Sequence, residues 1–343
     1  GKLVSPNTVE VNGTQYTGKN VVLATGSYAR TLPGLDIDGK RVITSDQALN
    51  MDYVPKSAIV LGGGVIGCEF ASVWKSFGAE VTIIEGLPRL VALEDETSSK
   101  QLERAFRKRK IEFEVGSRFQ SHTVNADSVT VNLENGKTFT AEVLLVAVGR
   151  GPVSAGIGYE EQGLTMDRGY VLVDNKCRTN VPGVWAVGDL IPTLQLAHVG
   201  FQEGIMVAEE IAGLNPQPIN YDGVPRVTYS EPEVASVGLT TATAKERGYD
   251  IEEISYDLGG NGKSQILKTA GSIKIVQQKG GPVLGIHMVG DRVGELIGEA
   301  QVIYNWQADA QDVAPYIHAH PTMNEAMGEA FLALAGKPLH AHG

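Results

Sequence analysis

Short apolar runs alternate with amphipathic stretches through the middle of the chain. A run of three to five apolar residues predicts a buried strand, whereas apolar positions three and four apart predict a helix. The pattern predicts, in order, strand 58–61, helix 65–77, strand 81–85, helix 94–109, strand 111–115, a hairpin at 129–140 and strand 143–148. Because strands that alternate with helices pair in parallel, we expect a parallel core sheet with helices on both faces.

A hairpin pattern occurs twice in the chain. Residues 12–27 and 135–150 each contain an Asn-Gly pair and then an apolar run that ends at a glycine, and the copies are 123 positions apart. Asn-Gly is a strong signal for a tight β-turn, so we interpret the copies as parts of two related units. The same offset places the opening of the first unit ahead of Gly1, and we expect that opening half to lie outside this sequence.

The remaining regions have other patterns. Residues 31–55 are rich in turn formers and predict a linker. A turn, a short strand ending at Asp189 and an amphipathic helix at 194–213 follow the middle region. From Tyr221 the pattern predicts an antiparallel sheet with strands at 272–276 and 282–290 and helices at 292–305 and 322–335. A sheet with helices on one side suits a subunit interface, which is our interpretation of this part.

Composition and charge argue against some classes of protein. The 343 residues carry a net charge of −11, which argues against a nucleic-acid partner. We interpret the basic stretch 104–110 as a solvated helix face. No apolar run is long enough to span a bilayer and the first residues are not a signal peptide, so we expect a cytoplasmic protein. Cys68 and Cys177 form neither a redox nor a metal pattern.

A glycine motif follows the first predicted strand of the middle region. Gly62, Gly64 and Gly67 form G-x-G-x-x-G between a strand and a helix, which is the context of a dinucleotide fingerprint. Such a turn places a pyrophosphate on the helix N-terminus. Glu85 ends the next strand, where a carboxylate accepts hydrogen bonds from the ribose hydroxyls and repels a 2′-phosphate. The motif therefore predicts NAD rather than NADP, with Arg89 as the one residue that argues for a phosphate.

A second ligand site is predicted near residue 190. Asp189 follows a strand, and ligands of open α/β sheets lie at the carboxyl ends of strands. Its carboxylate is therefore placed to hold a ribitol or ribose hydroxyl, with a helix N-cap as the alternative. Backbone N–H groups near Ala197, at the start of the next helix, are available to a cofactor.

Several motifs in this order resemble the dihydrolipoamide dehydrogenases of the pyridine nucleotide-disulfide oxidoreductase family. They are GGGVIGCEFAS, VAVGR, VWAVGD, LAHVG, EPEVASVGLT and HAHPTMNEA. The resemblance implies an α/β fold with two Rossmann-like dinucleotide-binding domains, the first truncated, and a C-terminal α+β dimerisation domain. It implies these boundaries: a remnant of the FAD-binding domain at 1–55, an NAD-binding domain at 56–178, a return to the FAD-binding and central region at 179–220, and the dimerisation domain at 221–343.

The resemblance also implies a reaction and a base. The family oxidises dihydrolipoyl thiols through an enzyme disulfide and FAD and passes a hydride to NAD⁺; its first FAD fingerprint and Cys-x4-Cys pair are not in this sequence. His320 is then the base that takes the thiol proton, and Glu325 orients its ring. From the residues alone, Glu325 has an alternative role in a capping box with Thr322. His318 and His320 have an alternative role as a metal pair, although no acidic or cysteine partner has suitable spacing nearby. In the family this pair reaches the partner subunit's disulfide, which implies a homodimer.

Further positions are carried over from the family. Glu69 resembles an acid that pairs with a lysine beside the flavin and nicotinamide. Phe119 and Gly149 match positions lining the NAD site. The positions that match FAD contacts are Thr25, Gly26, Ser27, Asp189, Gln195, Leu196, Ala197 and His198.

The sequence thus predicts a flavin-dependent NAD oxidoreductase that reoxidises the dihydrolipoyl groups of 2-oxoacid dehydrogenase complexes. Its expected partner is the lipoyl domain of the acyltransferase component. Two alternatives stay open: a glutathione-type or mycothiol-type disulfide reductase of the same family, and an inactive NAD-binding or dimerisation fragment, because the redox cysteines are absent from this sequence.

Overall fold

The computed structural model describes residues 1–340. The chain forms two compact units. The smaller unit comprises Gly1–Arg30 and Gly149–Tyr221, and the larger comprises Thr31–Val148 and the residues from Asp222 onward. Each unit has its own hydrophobic core. No helix within residues 1–340 combines the length and the apolar character needed to cross a membrane.

The strands in chain order are β1 Lys2–Ser5, β2 Thr8–Val11, β3 Thr14–Thr17, β4 Val21–Leu23, β5 Ser27–Ala29, β6 Val42–Ile43, β7 Ser57–Leu61, β8 Glu80–Ile84, β9 Ile111–Glu114, β10 Phe119–Val124, β11 Val129–Leu133, β12 Thr138–Ala141, β13 Val143–Val146, β14 Arg150–Pro152, β15 Met166–Asp167, β16 Tyr170–Val171, β17 Val184–Ala186, β18 Arg226–Thr228, β19 Glu233–Gly238, β20 Ile251–Asp257, β21 Ser272–Gln278 and β22 Val283–Gly290. The helices are α1 Ser45–Ala48, α2 Val65–Ser76, α3 Glu96–Lys108, α4 Ala197–Ile211, α5 Thr241–Glu246, α6 Gly262–Leu267, α7 Val293–Asn305, α8 Ala310–Val313 and α9 Glu325–Leu334.

The larger unit contains the predicted parallel sheet. Its five strands lie in the order β6-β13-β7-β8-β9, and every neighbouring pair is parallel. The predicted strands and helices of this region are confirmed to within two residues at each end. Residues 31–55 are not only a linker, as expected, because β6 pairs with β13 and a capping box at Thr44 starts α1.

The expectation of helices on both faces of this sheet is wrong. Helices α2 and α3 cover one face, but the antiparallel sheet β10-β11-β12 covers the other. The reason is the alternation in β11, where Val129, Val131 and Leu133 are all fully buried. These side chains pack on Ile59 and Leu144 of the parallel sheet. The hairpin therefore covers this face in place of the expected helices.

The predicted antiparallel sheet is also confirmed, with the order β18-β19-β22-β21-β20. Helices α7 and α9 cover one of its faces with buried apolar residues. Strand β20 was not predicted because its sequence, IEEISYD, has charged positions that obscure the apolar alternation. Helix α9 begins at Glu325 rather than at residue 322 as expected, since residues 318–324 form a loop.

Polar residues lie on the opposite face of this sheet and are buried. Ser236, His287 and Lys274 are aligned across three strands. Lys274 donates to Asp95, the N-cap of α3, at 3.1 Å, and both side chains are almost fully buried. Burial alone would raise the pKa of the Asp95 carboxyl, but the neighbouring charges and the N–H groups of Thr97 and Thr241 hold it well below its usual value. This ion pair connects the nucleotide-fingerprint region to the C-terminal sheet.

The basic stretch at 104–110 is more than a solvated face. Arg109 donates to Ser72 Oγ at 2.7 Å, to Ser76 Oγ at 2.7 Å and to the Glu231 carbonyl at 2.8 Å. Arg109 therefore joins α2 to the loop before β19, a role that the charge pattern alone did not reveal.

The smaller unit consists of short paired strands and one long helix. The meander β1-β2-β3 contains the first predicted hairpin, and its turn residues Asn12 and Gly13 both have positive φ, at 51° and 80°. Strand β4 pairs in parallel with β17, and β5 pairs with β14. Helix α4 packs on this core, beginning at Ala197 rather than at residue 194 as expected.

Candidate active site

The glycine motif forms a tight strand-to-helix turn in the larger unit. Gly62 has φ of 113°, and a Cβ atom there would overlap the Ala147 carbonyl. A Cβ atom at Gly67 would overlap the carbonyl of Gly62, so both positions require glycine. Gly64 is the N-cap of α2 and has no side-chain hydrogen bond to the first helical turn, while a Cβ there would meet open space. The turn therefore presents open backbone N–H groups to an anion.

Glu85 lies immediately after β8, beside this turn. Its Oε2 accepts the Gly63 N–H at 2.5 Å and its Oε1 accepts the Leu87 N–H at 2.7 Å. Both bonds hold the carboxylate at the strand end, where an adenosine ribose would lie. The half-exposed side chain keeps lone pairs for two hydroxyl donors.

Arg89 does not present a phosphate-binding group. Its Nε donates to Ser99 Oγ at 3.2 Å, and its Nη2 donates to the carbonyls of Ala92 and Glu94 at 2.6 and 3.0 Å. These hydrogen bonds hold the guanidinium against α3 and the loop that precedes it. This removes the one residue that argued for NADP.

The predicted carboxylate of the smaller unit lies after β17, as expected. Asp189 stands in a 3-10 turn, Gly188–Leu190, and its Oδ2 accepts the Ser27 hydroxyl at 2.5 Å. It is not a helix N-cap, which rules out the alternative interpretation. Arg150, which was not singled out, donates to Ser27 Oγ at 2.6 Å and lies 3.8 Å from Asp189 Oδ2.

Glu203 supports this turn and was also missed by sequence reasoning. It is fully buried on α4 and accepts the Gly188 N–H at 2.6 Å, the Thr193 hydroxyl at 2.8 Å and the Tyr221 hydroxyl at 2.9 Å. Burial and the adjacent Glu203 raise the pKa of Tyr221, which keeps that phenol a donor. The only hint in the sequence is a glutamate on the apolar side of α4.

The smaller unit contains donor groups that suit a bound cofactor. The Gln195 Nε2 atom is buried without a hydrogen-bond partner in the described chain. Two residues on, α4 begins at Ala197, and its N-cap, Leu196, offers no side-chain acceptor. An orphaned amide donor beside an open helix N-terminus suits a ligand rich in acceptors.

Other predicted cofactor positions have their own roles in each unit. The Thr25 hydroxyl donates to the Val153 carbonyl at 2.5 Å, and the Gly26 carbonyl accepts the Val153 N–H at 2.9 Å. Gly149 has φ of 109° and accepts the Arg30 N–H at 3.0 Å. His198 is exposed in the first turn of α4.

In the larger unit, Glu69 lies in the first turns of α2. Its Oε1 accepts the Tyr229 N–H at 2.8 Å, and burial raises the pKa of its carboxyl. Phe119 begins the three-stranded sheet and packs, partly buried, on the core beneath it. The neighbouring Cys68 is fully buried and its thiol pKa is raised by burial, so it is an inert core residue.

A His-Glu pair lies in the loop before α9. His320 Nδ1 and Glu325 Oε1 are 2.8 Å apart, and the imidazole is 77% exposed. Burial opposes ionisation of Glu325, but the Thr322 N–H and His320 lower the pKa of its carboxyl below the usual value. An ionised carboxylate only accepts hydrogen bonds, so Nδ1 carries the proton and the exposed Nε2 is free to accept one.

The capping-box interpretation of Glu325 is wrong in its main part, because α9 begins at Glu325 and its N-cap is Asn324 rather than Thr322. Only the hydrogen bond between the carboxylate and the Thr322 N–H is found. The Oε2 atom of Glu325 accepts the Thr322 N–H at 2.8 Å, while Oε1 binds the histidine. The reciprocal half is missing, since the Thr322 hydroxyl donates to the Ala319 carbonyl at 2.6 Å. His318 takes a different carboxylate, Glu299, so the two histidines do not face a common centre.

Comparisons with known proteins identify the fold and the family. Residues 1–204 match the family model for pyridine nucleotide-disulphide oxidoreductases, and residues 224–331 match the model for the dimerisation domain of that family. A dihydrolipoyl dehydrogenase of Bacillus subtilis is 41% identical, with 94% of this chain and 69% of that protein covered. The mitochondrial dihydrolipoyl dehydrogenase of Schizosaccharomyces pombe is 40% identical, covering 99% and 69%.

Among solved structures, LpdA from Mycobacterium tuberculosis superposes with a TM-score of 0.89 at 26% identity, over 96% of this chain and 75% of that one. The chain that these comparisons match contains the fingerprint turn, the carboxylates Glu85 and Asp189 at strand ends, and the exposed His320–Glu325 pair. The chain belongs to the pyridine nucleotide-disulphide oxidoreductase family and is dihydrolipoamide dehydrogenase-like.

Proposed function

We propose that this protein is a flavin-dependent NAD oxidoreductase that reoxidises dihydrolipoamide, with His320 as the base. The reaction converts dihydrolipoamide and NAD⁺ into lipoamide, NADH and one proton, so two thiol protons must leave the substrate. The single observation that carries the proposal is the exposed imidazole bound through Nδ1 to Glu325 at 2.8 Å. Relatives named dihydrolipoyl dehydrogenase support the substrate, and the family uses FAD and NAD.

His320 acts at its Nε2 atom. Only a thiolate attacks a disulfide, and an imidazole titrates near the pH at which the enzyme works. Nε2 takes the thiol proton, and the Glu325 carboxylate stabilises the imidazolium that results. The exposure of the ring gives a thiol of a separate molecule or subunit access to it.

The cofactors have separate sets of proposed contacts. NAD binds at Gly62, Gly64 and Gly67 with its ribose on Glu85, and Phe119 and Glu69 line the same site. Gly149 stays a prediction from the family resemblance for an NAD contact. FAD, when bound, supplies the two-electron acceptor, and the chain holds it through Asp189 and the first turn of α4. The remaining proposed FAD contacts are Thr25, Gly26, Ser27, Gln195, Leu196, Ala197 and His198.

The assembly follows from the same assignment. The matched dimerisation domain supports a homodimer. We further propose that the lipoyl domain of a 2-oxoacid dehydrogenase acyltransferase delivers the dithiol, and that the enzyme works in the cytoplasm. The boundaries 1–55, 56–178, 179–220 and 221–343 stay our prediction for its domains.

The decisive experiment is His320→Gln in the holoenzyme. Removing a general base is expected to lower kcat for dihydrolipoamide oxidation by about 10² to 10⁴-fold. The control is electron transfer from NADH to ferricyanide, which needs no thiol deprotonation and should be unchanged. Near-normal dihydrolipoamide turnover in the variant would rule out His320 as the base.

A further inference from the structure

Glu299, on α7, binds both ends of the loop that carries His320. Its Oε1 lies 2.8 Å from His318 Nε2, and its Oε2 accepts the Asn324 Nδ2–H at 2.7 Å. His318 is two residues before His320, and Asn324 directly precedes Glu325. One carboxylate therefore fixes the two points between which the His320–Glu325 pair is held.

The His318 contact of Glu299 is far less exposed than the imidazole of His320. The His318 side chain is 12% exposed, against 77% for His320. The His318 ring packs on α9 at Gly328, where a Cβ atom would lie 2.5 Å from its Nδ1. The hydrogen bond that the Glu299 carboxylate accepts raises the pKa of His318, which favours an ion pair at this partly buried position.

His320 itself has little else to hold it. Its one hydrogen bond in the described chain is to Glu325, so the direction of its ring depends on the backbone of residues 318–324. Asn261 adds a third attachment through the Thr322 carbonyl at 3.1 Å. A base that must meet a thiol from another molecule loses rate steeply when displaced by about 1 Å.

We infer that Glu299 is a positioning residue for the reaction: by binding His318 and Asn324 together it sets the placement of the His320–Glu325 pair. The inference rests on the proposed function of His320 as the base. Glu299 touches neither substrate nor cofactor in this scheme.

The test is a double-mutant cycle in the holoenzyme with Glu299→Ala, His320→Gln and both together. We expect Glu299→Ala to lower kcat about tenfold with KM for dihydrolipoamide little changed, because misplacement of the base affects the chemical step. Adding Glu299→Ala to His320→Gln should cause no further loss, since the effect acts through His320. Ferricyanide reduction by NADH should be unchanged throughout.

Two further variants separate positioning from folding. Glu299→Gln keeps one acceptor for Asn324 and one donor for neutral His318, so we expect turnover within about threefold of wild type at pH 8. Glu295→Ala, on the exposed face of the same helix, is the matched control and should change nothing. If Glu299→Ala does not fold, Asn324→Ala removes one arm only and should still lower kcat, by about threefold.

The outcomes are distinguishable. Normal kcat in both Glu299→Ala and Asn324→Ala overturns the inference, and so does a loss in the double variant that multiplies the two single losses. Normal kcat in His320→Gln instead refutes the proposed function. A further loss of kcat when Glu299→Ala is added to His320→Gln would show that Glu299 does not act through His320, which also overturns the inference.

Discussion

The fingerprint turn and the His320 loop are built in opposite ways. The turn spans Gly62 to Gly67, is determined by backbone geometry, and has its supporting carboxylate, Glu85, about twenty residues away at the next strand end. The loop at 318–324 depends on side chains from two separate elements, Glu299 of α7 and Asn261. A site built from backbone is visible in sequence, whereas a site built from distant side chains is visible only once the chain is folded.

The largest effect is expected at the ion pair of Asp95 and Lys274, which joins the N-terminus of α3 to β21. Asp95→Ala removes the shorter of the two carboxylate contacts of Lys274, at 3.1 Å, and leaves Glu253 at 3.3 Å. The lost ion pair and the lost N-cap of α3 together should cost about 2–4 kcal/mol of unfolding free energy at pH 7. Because the folded-state pKa of Asp95 is depressed, its contribution is complete above its ordinary pKa of 3.8 and is lost as pH falls below it. Urea unfolding from pH 7 to 3 should therefore show less acid sensitivity in the variant. Equal pH dependence in both proteins would contradict this assignment.

The next effect separates the glycines within the fingerprint. Gly67→Ala forces a Cβ atom onto the Gly62 carbonyl, so we expect a loss of about 1–3 kcal/mol or more in stability together with weaker NAD binding. Gly64→Ala has room in the folded protein and should weaken NAD binding at unchanged stability, because it crowds only the pyrophosphate. Calorimetric titration with NADH and thermal unfolding measure the two effects.

Gly298→Ala, in α7 with open space around it, is the matched control for these glycine changes. It should raise helix stability by up to about 1 kcal/mol and leave NADH binding alone. Equal behaviour of the three alanine variants would mean that the turn is not the nucleotide site.

A smaller effect is expected at Glu85, the proposed contact of the NAD ribose. Glu85→Arg should move the preference toward NADP(H) by about tenfold or more in the ratio of Kd values, since it replaces a repelling charge with an attracting one. Glu85→Gln is the control, because it removes the charge and keeps an acceptor. Unchanged selectivity in Glu85→Arg would place the adenosine elsewhere.

The smallest effect tests the double role of Glu325. Glu325→Gln keeps an acceptor for the Thr322 N–H but weakens the stabilisation of an imidazolium, so kcat should fall about tenfold and Tm should change by no more than about 2 °C. A large loss of Tm at normal kcat would favour the hydrogen bond to the Thr322 N–H as the main role of this residue.

Sequence reasoning succeeded where the pattern was local. The strands and helices predicted within 57–146 were found to within two residues, although strand β10 was not predicted. The Asn12-Gly13 turn and the strand-end positions of Glu85 and Asp189 were also predicted correctly. It failed for charged residues with distant partners. Arg109 was assigned to solvent, and Glu203 and Glu299 were not singled out, because their hydrogen-bond partners lie on other elements.

By itself, the sequence determined the parallel sheet and the glycine turn after β7, and a short motif that resembles a known family predicted the pairing of His320 with Glu325. These depend on the spacing of apolar residues, on glycines at positions where a Cβ atom would clash, and on a short motif. In each case the residues lie close together in the sequence. The tertiary structure decided what covers the sheet, where Arg89 is bound and what holds the His320 loop. Those outcomes depend on packing and on hydrogen-bond partners from segments distant in the sequence, so the spacing of residues along the chain does not predict them.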